Sequence, residues 1–156
     1  MAEGPFWSQD AVLFTFGHVF SYAYLAGIGY ILLAFPSGRL ESPRLRGLFW
    51  IGALAAGPLQ VAWLLTGGHD QAGSCAGCPV NLLELTQAPD VAAAIQLSQA
   101  AIGTIVAAIS IAVLVRRWLV ASAPLRFAIT PVIWAGVATF GAQVVHHLSF
   151  ALAVDL

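Results

Sequence analysis

Four long apolar runs separated by short polar segments set the plan of this chain. They extend over about residues 11–35, 48–66, 92–115 and 127–152, and none contains Lys, Arg, Asp or Glu. Each has 19 or more residues, close to the roughly 20 that cross about 30 Å of hydrocarbon as a helix. The pattern predicts an all-α integral membrane protein, a bundle of four transmembrane helices forming a single domain over residues 1–156. The stretch before the first run, MAEGPFWSQD, is acidic rather than basic. That flank and the length of the run fit a retained span rather than a cleavable signal peptide.

The punctuation between and within the runs is informative. Pro36, Gly38 and Pro43 in PSGRLESPR predict a tight turn ending the first helix, and Pro124 predicts a break before the fourth. Pro58 and Pro131 fall inside spans two and four, where a proline kinks a helix and frees a carbonyl. The segment NLLELTQAPDVAAA predicts a short surface helix within the 67–91 loop, with Leu82, Leu83 and Leu85 on the membrane interface. Trp7, Trp50, Trp63, Trp118 and Trp134 are mostly expected near span ends, as interfacial aromatics. Along span three, Ala100, Thr104, Ala108 and Ala112 recur every four residues. Small residues let membrane helices approach closely, so this face is expected to pack against another span or another subunit.

Composition agrees. The chain is 60% hydrophobic and 8% charged, with mean hydropathy +0.87, whereas soluble domains are about 25% charged. There is no Lys. All six basic residues lie in two inter-span segments: Arg39, Arg44 and Arg46 in one, Arg116, Arg117 and Arg126 in the other. Positive charge collects on the cytoplasmic side, so these arginines are expected to anchor the cytoplasmic ends of the spans. Both termini and the 67–91 loop then face outward from a bacterial cytoplasmic (inner) membrane.

The loop carries GGHDQAGSCAGCPVN. On the outer, oxidising side a Cys75–Cys78 disulfide is the plain expectation. A thiol redox pair fits the same spacing. A zinc site drawing on His69, Asp70, Cys75 and Cys78 is the weaker alternative, because one CxxC supplies half the usual ligands.

Polar side chains also occur inside the spans, where they need partners and often mark function. At about 1.5 Å per residue, His18, Gln60, Gln96, Gln99, Gln143 and His146 lie roughly 6–14 Å from the outer ends of their spans. Tyr22 sits near the same layer. Two functions are open to it. The groups can bond one another and hold the bundle together, or they can line a pocket for a ligand or cofactor head group. The specific version of the second is haem held by His18 and His146 or His147, on different helices. His147 is alternatively expected to point toward lipid headgroups. No cofactor at all is the leading expectation. The chain has no glycine-rich phosphate loop, intramembrane carboxylate, serine–histidine–acid arrangement or large basic patch. Pump, hydrolase and nucleic-acid-binding functions are therefore not expected.

Three stretches, taken in order, are similar to a known group. ILLAFPSGRL ends the first span, CAGCPVNLL follows in the loop, and LVRRWLVASAPLRFAITPVIWAG joins spans three and four. Together they resemble the membrane-embedded N-terminal region of actinobacterial-type sensor histidine kinases, over roughly residues 25–140. The resemblance implies an input region followed, in those proteins, by a cytoplasmic dimerisation helix pair and an ATP-binding domain. This chain has neither a phosphoacceptor histidine in a soluble helix nor an ATP lid, so it is expected to be non-catalytic. A sensor or input module of a two-component-type protein is the expected function. A small accessory subunit of a respiratory or photosynthetic membrane complex is the alternative, and a haem- or quinone-binding protein the second. The expected partners are the lipid bilayer and other membrane subunits or a second copy.

Overall fold

A computed structural model describes residues 10–35, 37–67 and 79–154, with only the backbone for 150–154. Among the described residues every regular element is helical. The order is α1 (Ala11–Val19), α2 (Ala23–Ala34), α3 (Pro43–Ala56), α4 (Pro58–Leu65), α5 (Pro89–Val120) and α6 (Ala123–Val154). Taken as α1–α2, α3–α4, α5 and α6, these make four stretches long and apolar enough to cross a membrane: Ala11–Ala34, Pro43–Leu65, Pro89–Val120 and Ala123–Ser149. The chain is thus a multi-pass membrane protein by length and composition.

Helix ends differ from the hydropathy boundaries on the arginine side. Helix α3 starts at Pro43, and α5 runs on to Val120. Proline at the first helical position and Ser42 as cap, whose Oγ accepts from Leu45 N at 3.1 Å, explain the early start of α3. Hydropathy stops at the first arginine, but arginine is a good helix former. At 32 residues each, α5 and α6 are about 48 Å long, more than the roughly 30 Å hydrocarbon layer.

The two internal prolines behave differently. At Pro58 the second span is interrupted: Gly57 leaves helical geometry at φ −109° and ψ −82°, and α4 starts afresh. At Pro131 helix α6 continues unbroken, so the expected disruption there is smaller than at the Gly–Pro pair. A break that no proline announces splits the first span at Phe20–Tyr22. There Ser21 Oγ donates to the His18 carbonyl at 2.8 Å, and Ala23 N donates to Phe20 O at 3.0 Å.

The expected single domain contains two compact units, Met1–Tyr24 with Leu54–Gln99 and Leu25–Ala53 with Ala100–Leu156. The core of the first is Trp63, Leu64 and Ala92, packed by Val19, Leu83 and Ile95. Trp63 is only 8% exposed, so it is a core residue and not an interfacial anchor; Trp50 and Trp134 are exposed. The core of the second unit is Leu32, Ala107, Leu114, Ile129, Ile133 and Phe140. Close packing there depends on Gly136: a Cβ would sit 2.9 Å from Leu114 Cδ1 and 3.0 Å from Leu32 Cδ2. The buried stripe of α5 in this unit is Ala100, Ala107, Ser110 and Leu114, while Ala108 and Ala112 of the four-residue repeat are exposed. Of that repeat, Ala100 is buried and Thr104 half-buried.

The surface helix expected in NLLELTQAPDVAAA is absent: residues 79–88 are non-helical and α5 begins at Pro89. Backbone bonding explains the difference. A helix leaves its last four carbonyls without internal partners, and this segment, together with Thr66, supplies partners for those of α4. Asn81 Nδ2 donates to Leu64 O at 2.7 Å. Leu85 N and Thr86 N both donate to Leu65 O, at 3.1 and 3.2 Å. Thr66 Oγ1 serves Trp63 O and Ala62 O. Gly67, at φ +70°, turns the chain out of α4. Leu82 and Leu85 are exposed, but Leu83 packs into the core of its unit.

Candidate functional site

The polar layer resolves into two local arrangements, one in each unit. In the first unit it centres on Gln60, which is 3% exposed. Its Nε2 donates to the His18 carbonyl at 3.2 Å. Its Oε1 accepts from Gln99 Nε2 at 3.2 Å, and Gln99 Nε2 also donates to Ala55 O at 3.0 Å. His18 and Ala55 border the two helix breaks, at Phe20–Tyr22 and Gly57. Backbone groups released from a helix inside a membrane must find protein partners. The two glutamines therefore stitch the breaks in spans one and two, and join them through α5.

The other expected members take lesser parts. The His18 ring donates from Nδ1 to Phe14 O at 3.1 Å, along its own helix. Tyr22 and Gln96 are half-buried, and Gln96 makes no hydrogen bond among the described residues. Thr15 is a member that sequence reasoning missed. It is 5% exposed, and its Oγ1 accepts from Leu82 N at 3.1 Å, tying the 79–88 segment to α1. A lone threonine in an apolar run carries no signal that a loop amide will meet it.

In the second unit Gln143 and His147 form the cluster. The Gln143 amide donates to His147 Nε2 at 2.8 Å. The imidazole lies on Gly103, where a Cβ would stand 2.8 Å from Nε2. His146, expected in the polar layer, is instead exposed, and His147, alternatively expected toward headgroups, is half-buried. Gly103 decides this, because only a glycine leaves room for a ring against that face of α5. Haem ligation would use ring nitrogens. His147 Nε2 is engaged by Gln143 and His18 Nδ1 by Phe14 O. His146 and His147, adjacent on α6, have ring centres 5.7 Å apart.

The six arginines, expected to act alike as anchors, divide into two roles. Arg117 Nη1 donates to Leu33 O at 2.7 Å and Phe35 O at 2.8 Å, capping the C-terminus of α2. Beside it, Gly38 at φ +74° lets the chain turn, and Gly38 N donates to Ala34 O at 2.8 Å. Arg126 Nη2 donates to Leu119 O and Ala121 O, capping α5. Its guanidinium stands 5.0 Å from the Trp118 ring centre, and Trp118 Nε1 donates to Thr130 Oγ1 at 3.0 Å. Cations at helix C-termini oppose the negative end of the helix dipole. The FPSGRL turn and the RRW segment thus meet at Arg117. Arg39, Arg44, Arg46 and Arg116 are exposed.

Cys75, Cys78, His69 and Asp70 lie outside the described residues. Among the described residues no group of three or more His, Cys, Asp or Glu is placed to hold a metal. No protein-family model, curated protein or solved structure matches the chain.

Proposed function

We propose that this chain is a non-catalytic input module of a two-component-type signalling protein in a bacterial cytoplasmic membrane. On this reading the arginine ends face the cytoplasm and the 67–91 loop faces out. One observation carries it: the segment at residues 79–88 is bonded to α1 and to the end of α4, in the same unit whose helix breaks Gln60 and Gln99 bridge. A stimulus that moves the outer segment acts directly on interrupted spans, which shift more readily than unbroken ones. Signalling requires that the stimulus bind two arrangements of these helices with different affinity. The resemblance of the FPSGRL and RRW stretches to the input region of sensor kinases points the same way.

A second reading, an accessory subunit of a larger membrane complex, draws on the exposed small residues Ala108 and Ala112 of α5. The native gene product separates the two. It is extracted gently from its own membranes, and its mass and companions are read by electrophoresis and mass spectrometry. A longer chain, with a further span that returns it to the cytoplasm before an ATP-binding domain, is the expected result. A 16.4 kDa chain held in a stable assembly with large membrane proteins would overturn the sensor reading in favour of the subunit.

A further inference from the structure

We infer that the arginine end of the second unit is a binding surface for anionic phospholipid headgroups. Six arginines lie in that unit, and two are spent on helix carbonyls. Arg39, Arg44, Arg46 and Arg116 remain exposed, and no ion pair engages them among the described residues. Arg117 binds the end of α2, which brings its neighbour Arg116 to the end of the unit where the 37–42 turn carries Arg39. Glu41 is the acidic side chain of that turn, and it too is exposed.

The charges are poorly placed for an isolated protein. Arg44 and Arg46 occupy the start of α3, where the helix dipole is positive and acidic residues are preferred, and its first turn has no acid. Four guanidiniums at this end call for anions from outside the chain. Their surroundings say which source. Trp50, one turn beyond Arg46, is 61% exposed, as are Val120 at 77% and Phe127 at 86%. These side chains seat that end at the membrane surface, where phospholipid headgroups, unlike a free phosphate or nucleotide, are held beside the guanidiniums. A phospholipid gives its acyl region to them and its phosphate to the guanidiniums, which bind phosphate in a two-pronged geometry. Basic segments bordering a span are attracted to anionic leaflets in this way.

The full chain is reconstituted in phosphatidylcholine vesicles containing trace spin-labelled phosphatidylglycerol or spin-labelled phosphatidylcholine. Electron paramagnetic resonance then reads the fraction of each label held at the protein. A several-fold preference for the glycerol headgroup is expected in the native chain. It should fall to near unity in R39Q/R44Q/R46Q/R116Q and survive when the same four residues become Lys. The pairs R39Q/R116Q and R44Q/R46Q, each giving partial loss, serve if the fourfold variant does not fold. Preference retained in the glutamine variants, or absent from the native chain, would overturn the proposal. So would its abolition by inorganic phosphate at an ionic strength where chloride leaves it intact, since the surface would then be a site for free anions.

Discussion

Gly136 shows at the level of one residue how tightly the second unit is packed. Its missing Cβ would meet Leu114 Cδ1 and Leu32 Cδ2 at 2.9 and 3.0 Å, and both leucines are core residues. Gly136→Ala is expected to lower stability by about 1–3 kcal/mol, the usual cost of overpacking. Gly141→Ala is the control, because nothing lies within 4 Å of its Cβ position. Thermal unfolding in one detergent compares them, and equal stability would contradict the packing. The paired histidines give a second test. His147→Ala loses the Gln143 bond and the packing on Gly103, a cost of roughly 1 kcal/mol or more for membrane hydrogen bonds. His146→Ala, at an exposed position, should leave the melting temperature unchanged. Which histidine faces inward was not legible in the sequence. Adjacent helical positions differ by about 100°, and the deciding feature, Gly103, lies on another helix. That Gln60 and Gln99 would be bonded inside the bundle was legible, since a glutamine in lipid must find partners.

At the level of elements, the polar side chains of this chain mostly serve backbone groups at helix ends and helix breaks. Hydropathy found the four spans, and Pro58 announced a kink in the second, which beside Gly57 becomes a full break. The break at Phe20–Tyr22 was hidden, because its supports are Ser21 and the distant Gln60. The loop helix failed for a related reason: leucine-rich propensity yields when a segment's amides are needed at the end of α4. Arg117 and Arg116 separate capping from mere charge. Arg117→Gln leaves the Leu33 and Phe35 carbonyls short of a charged donor, at about 1–3 kcal/mol for a buried group. Hydrogen exchange at Gly38 should quicken, since its amide closes the same turn. Arg116→Gln removes the same charge from a neighbouring exposed site and should leave exchange at Gly38 unaltered. Equal acceleration in both variants would show that net charge, rather than the capping bonds, holds the turn.

For the whole molecule, orientation rests on charge alone. All six basic residues lie in the segments that join the first and second or the third and fourth apolar runs, and segments of that kind are expected in the cytoplasm. Acidic residues contribute little to that rule, so the test must probe the arginine segments directly. Ser37 and Ser122 lie in them, Thr86 lies in the 67–91 loop, and all three are exposed. Single cysteines placed at these positions, with Cys75 and Cys78 replaced by Ser, report sidedness to a membrane-impermeant thiol reagent. Thr86→Cys should react on intact cells, and Ser37→Cys and Ser122→Cys only after permeabilisation. The reversed pattern would put the 79–88 segment in the cytoplasm. It would then remove the argument that an external stimulus reaches the bridged helix breaks, while leaving the bonding of Gln60, Gln99 and Asn81 as it stands.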